Sequence, residues 1–245
     1  CNITSSGCYN LALGECALKN ATSASKNIAL GFRAGESGGN SGYGCNIMIG
    51  NEAGRSMTSS HNVAIGNFAA AYRGGGTDNV FLGRYSGSNT TGQSGSWNFG
   101  AGYAVLGGGG SASNNIGLGC KAGGCVTDGS FNTLIGTFAG QNLTTGSNNI
   151  AIGCNAGKSW TTSGNGIAIG KNAAGSAVHA SSNIYIGECA GYNVYDSGGQ
   201  VIIGHKAAYS QCDWGAGFVV IGRCASYCNN SCLLYTSDAA DEGWW

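Results

Sequence analysis

Proline is absent from the chain, and only 9% of its 245 residues are charged. Neither feature matches the average of an ordinary globular domain. Charge of one sign is also missing, since eleven Lys and Arg face eleven Asp and Glu. No basic stripe is left for nucleic acid or an anionic membrane surface. Long apolar runs are lacking too, and nothing approaches the ~20 residues that a bilayer-spanning helix needs. The chain has no initiating methionine and no leader-like segment: it begins at Cys1, in mid-pattern. Residues 1–9 are therefore expected to be the cut edge of a longer array.

What fills the space is glycine, 47 residues of it. Abundant glycine without helix-period apolar spacing points to many tight corners with φ > 0. One phrase recurs throughout, clearest as Asn149-Ile150-Ala151-Ile152-Gly153-Cys154-Asn155-Ala156-Gly157. Its Ile-Gly glycine returns at Gly14, Gly31, Gly50, Gly66, Gly83, Gly102, Gly119, Gly136, Gly153, Gly170, Gly187, Gly204 and Gly222, a spacing of about 17 residues that varies little from one repeat to the next. That period is too short for a helical repeat and too long for a hairpin unit. It predicts one β-solenoid turn per repeat: a single parallel all-β solenoid of about 13 coils over residues 10–228. At ~4.8 Å per coil the rod would measure about 60 Å.

Each repeat carries the same positional pattern. The third residue before the glycine is apolar in twelve of thirteen repeats, and the residue just before it is apolar in all. Two apolar positions spaced by two share one strand face, so both are expected to point into the coil. Three residues after the glycine stands Ala in eleven repeats, a small side chain suited to a narrow interior, and in seven repeats a further glycine follows for the next bend. Ten repeats place Asn four residues before the glycine, where stacked amides are expected to form a ladder. The rest of each coil is variable and rich in Ser, Thr and Gly, as loops on the outside of a solenoid are.

The phrase resembles the head repeats of trimeric autotransporter adhesins, which read Asn-x-Val-Ala-Ile-Gly-x-x-Ser/Ala, and the Asn-Asn-Thr-Ala-Ile-Gly-Tyr-Asn-Ala-Gly repeats of bacteriophage tail fibres. The resemblance covers residue 10 to about 228. It implies a left-handed parallel β-roll, three chains side by side, and attachment of an extracellular fibre, on a virion or a bacterial cell, to a protein or glycan receptor. The adhesin repeat is shorter than the repeat of this chain, which leans toward the phage type.

The residue between the two apolar positions then becomes the candidate contact between chains: Ala12, Ala29, Met48, Ala64, Phe81, Gly100, Gly117, Leu134, Ala151, Ala168, Tyr185, Ile202 and Val220. If the flanking residues point inward, this one points out, and an apolar or glycine residue at all thirteen positions makes a stripe that a soluble monomer should not expose. The expected partner is a second and third copy of the chain.

Chemistry has less support. Ile65-Gly66-Asn67-Phe68-Ala69-Ala70 fits the hexapeptide of left-handed β-helix acyltransferases, but that fold needs three hexapeptides per turn and here there is one. His61, His179 and His205 have no carboxylate at a recurring offset to orient them. The twelve cysteines lack Cys-x2-Cys spacing and read as mostly free thiols. An ice-binding face would need a threonine ladder, and Thr144-Thr145 and Thr161-Thr162 align on only two coils. The expectation is therefore a non-enzymatic chain with no catalytic residue, metal or cofactor. At the C-terminus, Cys232-Leu233-Leu234-Tyr235-Thr236-Ser237-Asp238-Ala239-Ala240-Asp241-Glu242 resembles a translated sequencing-library adapter, so residues 229–245 are expected to be a non-native tail.

Overall fold

The computed structural model describes residues 7–36, 43–88, 94–178, 181–194, 198–210 and 217–227. The non-native tail expected over 229–245 and His179 lie outside them. The strands are three residues long, one per repeat, and each is centred two residues before its corner glycine. The first unit, Cys1–Asp128, holds β1 (Leu11–Leu13), β2 (Ile28–Leu30), β3 (Ile47–Ile49), β4 (Val63–Ile65), β5 (Val80–Leu82), β6 (Phe99–Ala101) and β7 (Ile116–Leu118). The second, Gly129–Trp245, holds β8 (Thr133–Ile135), β9 (Ile150–Ile152), β10 (Ile167–Ile169), β11 (Ile184–Ile186), β12 (Val201–Ile203) and β13 (Val219–Ile221). Within each unit consecutive strands pair in parallel and in unbroken register, as in Ile150↔Ile167, Ala151↔Ala168 and Ile152↔Ile169. The chain is an all-β parallel β-solenoid whose period is about 17 residues.

The corner glycines lie at φ between 117° and 137°, a region closed to side chains, and within each unit every one but the last sits directly on the corner of the next coil. A Cβ on Gly153 would come within 2.6 Å of the Gly170 carbonyl oxygen and 2.7 Å of its carbon. After the corner, backbone direction alternates. The second and fourth residues past every corner glycine are left-handed, at φ of 50–61° and 46–62°. Short i→i+3 bonds close these bends, for example the Ala156 N–H on the Gly153 carbonyl at 3.2 Å and the Lys158 N–H on the Asn155 carbonyl at 3.3 Å. The chain thereby turns without a helix, and its remaining amides bond upward and downward. The N–H of Gly157 donates to Ala173 at 2.9 Å and that of Asn155 to Thr137 at 2.9 Å.

The asparagine column forms a buried ladder. From Asn27 through Asn115, each backbone N–H donates to the Oδ1 of the Asn one coil earlier, at 2.8–3.0 Å. In the second unit Asn149 donates to Asn132 through N–H and Nδ2, both at 3.0 Å, and Gly166 and Gln200 continue the contact with their own N–H groups. The left-handed residue at this bend is the one before the Asn, as at Asn114 and Asn148, rather than the Asn itself. The amide therefore satisfies a buried N–H instead of relieving its own backbone.

The orientation expected for the strands is reversed. Ala29, Met48, Ala64, Phe81, Leu134, Ala151, Ala168, Tyr185, Ile202 and Val220 are fully buried inside the coil of one chain, Gly100 and Gly117 are buried too, and Ala12 is half-buried. They are core, and the flanking apolar residues face outward. Parity gives the same answer, because the buried Asn and the middle residue are two apart and share a face. Volume gives the reason. The interior is one side chain thick, and the middle residue shares it with the residue four past the corner of the same coil. Met48 is paired with Gly54, Phe81 with Gly87, Leu134 with Gly140 and Tyr185 with Gly191, and a Cβ on any of these glycines would strike the large side chain. Where the fourth residue is large it fills space left by the next coil, since a Cβ on Gly35 would strike Leu18 and one on Gly117 would strike Leu106. Ala151 and Gly157 are both small, and Trp160 fills their space. Two β-branched side chains per strand do not fit in such a slot.

Replacing Gly153 by Ala should destabilise the fold by on the order of 3 kcal/mol, combining a left-handed strain with a clash that neither backbone can leave. A denaturant titration followed by far-ultraviolet circular dichroism would measure it, and Gly164→Ala, at a looser loop position, is the control.

Candidate interaction face

Turning the strands over moves the apolar stripe without removing it. The outward columns are Leu11, Ile28, Ile47, Val63, Val80, Phe99 and Ile116 with Leu13, Leu30, Ile49, Ile65, Leu82, Ala101 and Leu118 in the first unit. In the second unit they run from Thr133 and Ile135 to Val219 and Ile221. None of these side chains is buried. Stacking at the strand spacing covers each from two sides, which leaves most of them half-buried and eight of them 36–40% exposed, while Leu13 at the edge strand is 70% exposed. Thr133 is the one polar member of either column. β-Branched residues suit this role because they pack well against their neighbours on a pleated surface.

Beside the columns runs the left-handed residue that precedes each Asn. Its occupants include Asn114, Asn148, Asn165, Asp78 and Ser182, which tolerate that conformation, but also Tyr9, Trp97 and Phe131 at φ 61°, 56° and 60°. These three aromatics are 84%, 61% and 61% exposed. A bulky residue here costs about 1–2 kcal/mol in backbone strain and exposes apolar surface as well.

The opposite side of the corner is polar and aromatic. Tyr192, Tyr209 and Tyr227 stack on successive coils with centroids 5.3 and 5.1 Å apart, nearly coplanar. Phe68 stacks on Tyr85 at 5.2 Å, and Tyr103 meets Tyr85 edge-on. Arg33, Glu36, Glu52 and Arg55 form a four-membered ion-pair cluster across two coils, with Arg33–Glu36 and Arg55–Glu52 both at 3.0 Å. Inside the first unit Arg73 replaces an apolar residue, its guanidinium stacked 4.8 Å from the Phe81 ring and donating to the Gly95 carbonyl. Burial pulls its pKa down to about 10.

The remaining candidates are scattered. His61 occupies an exposed left-handed bend. His205 stands 4.0 Å from Glu188, which also pairs with Lys171 at 3.6 Å. Thr144 uses its hydroxyl on the Thr161 carbonyl at 3.0 Å, while Thr145 and Thr162 are exposed. Cys8, Cys16, Cys45, Cys120, Cys125, Cys154, Cys189 and Cys224 are free thiols. Among the described residues no three His, Cys, Asp or Glu side chains converge on a metal-sized site, and no helix is long and apolar enough to cross a membrane.

No family model, curated protein or solved structure matches the chain. Its geometry alone therefore has to support a functional reading, and the largest shared feature of both units is the outward aliphatic face. The polar surfaces differ from coil to coil, whereas this face repeats.

Two buried tyrosines set an alkaline limit. Burial pushes Tyr43 up to about 12, and it pushes Tyr185 higher still, although its hydrogen bond from Asn183 opposes this. Both are held neutral by the fold above the ordinary phenol value of about 10. Their contribution is complete below pH 10 and is lost as pH rises through about 12. Tyrosinate absorbance should rise in two phases, the second coinciding with loss of β structure. Tyr185→Phe should delay that unfolding, while a single smooth titration with the fold intact would contradict the burial of these phenols.

Proposed function

We propose that this chain is a non-enzymatic repeat segment of an extracellular fibre, assembled as a homotrimer and serving attachment of a virion or bacterial cell to a surface receptor of protein or glycan. The observation that carries the reading is the outward aliphatic face, two residues wide on every strand of both units. With roughly 45 Å² of apolar surface left per side chain, the first unit alone presents on the order of 600 Å², the upper end of what soluble monomers leave in one patch and approaching the ~800 Å² per partner of a standard interface. Three is the closed number that the resemblance to adhesin heads and tail-fibre repeats implies.

Sedimentation equilibrium at micromolar concentration tests it. The chain should run as a trimer. Ile152→Glu with Ile169→Glu should give folded monomers with an unchanged β spectrum, whereas Ala151→Glu, which buries a carboxylate, should unfold the coil by several kcal/mol. A wild-type chain that sediments as a monomer would overturn the assembly.

A further inference from the structure

A purely aliphatic face has a defect as an interface between copies. It repeats at the strand spacing, so a neighbouring chain that slides by one coil meets an almost identical surface. Something must break this translational symmetry if the fibre is to have one register. The first unit carries exposed aromatics at two of these bends, Tyr9 before the edge strand and Trp97 in the coil of β6, and of the two only Trp97 has a coil on either side. Trp97 stands at the left-handed bend with φ 56° and is 61% exposed, and Phe99, two residues on, is exposed in the outward column. Tyr103, just past the corner glycine of the same coil, is exposed as well. The residues above and below Trp97 in its column are Asp78 and Asn114, both polar and both suited to the bend. The Trp97 backbone is fixed by its N–H on the Thr77 carbonyl at 3.1 Å, as that of Asn114 is by the Ser96 carbonyl at 3.0 Å, so the side chain is a choice that the coil geometry does not require.

We infer that Trp97, with Phe99, is the anchor that sets the axial register between copies of this chain. The inference rests on the side-by-side assembly proposed above and names the residues that fix it. When copies are related by rotation about an axis along the coils, equal coils lie at equal height, and Trp97 packs against the aliphatic columns of its neighbour at the level of β5 and β6. A slip of one coil carries the indole away from that level and leaves the polar Asp78 or Asn114 where it had been. The feature that is unfavourable in a lone chain, a strained and exposed indole, is then buried in the assembly. Tryptophan also dominates interface hot spots because it buries a large area with little side-chain entropy to lose.

The test uses the full chain and a photocrosslinker placed in the same column on another coil, Lys26→p-benzoylphenylalanine, at an exposed bend. With Trp97 present, crosslinked peptides from the partner copy should fall within one coil. Trp97→Asn, which places at this bend the residue found at Asn114, Asn148 and Asn165, should fold normally and raise the half-dissociation concentration at least tenfold. At concentrations where the variant still assembles, its crosslinks should spread over three or more coils. Unchanged affinity together with single-coil crosslinks in Trp97→Asn would overturn the anchor while leaving the assembly standing. A monomeric wild type would instead remove the assembly, and this inference with it. Ile116→Asn separates register from simple loss of apolar area, because it should weaken association without spreading the crosslinks; spreading in that variant as well would also overturn the anchor.

Discussion

Backbone contact between successive corner glycines is the constraint on which the other features of the coil depend. At φ near 130° the chain presents its α-carbon to the carbonyl of the next coil, so close that a methyl group cannot intervene. Once that contact fixes the coil spacing, every amide that a helix would have satisfied internally must find a partner on the coil above or below. The alternating left-handed residues past the corner are what this arrangement requires. They occur at the second position of every repeat whether the residue is Asn155, Phe138 or Lys206. Their intrinsic strain is offset collectively, since no coil forms its amide bonds alone.

The interior follows from the same spacing. A closed coil this short leaves room for one layer of close-packed side chains, and that layer is divided between the middle of the strand and the fourth residue past the corner. Phe81 against Gly87 and Leu106 against Gly117 are two solutions to one volume. Most polar groups in this layer have a partner, since the Asn column bonds along its own length and Tyr185 bonds both Asn183 and Gln200, whereas the Trp160 indole N–H is buried without one. Arg73 is the outlier, a guanidinium lying on the Phe81 ring where other coils keep Ala21, Leu143 or Trp160. Because the slot admits only the middle side chain of each strand, the two flanking apolar residues are left on the outer strand face.

Much of this organisation is legible in the residues themselves. The glycine period gives the number of coils, the apolar triplets give the strand centres, and the Asn column gives a ladder that bonds as stacked amides do. The inward and outward faces are misassigned by the simplest argument, that the more hydrophobic face is the core. Two signals in the sequence point the other way. Asn and the middle residue share parity, and the middle residue varies inversely in size with the residue four past the corner. Exposed aromatics such as Trp97 and Phe131 carry no sequence signal of their own, because their bend is recognisable as left-handed only from the backbone.

The sequence by itself determined the repeat, its period, the strands and the corners, because each depends on local steric rules that glycine, Asn and β-branched residues express directly. Only the tertiary structure decided which side of each strand is interior. Period-two alternation specifies two faces without naming them, and the choice between them rests on how much volume a closed coil encloses, a quantity that no single repeat contains.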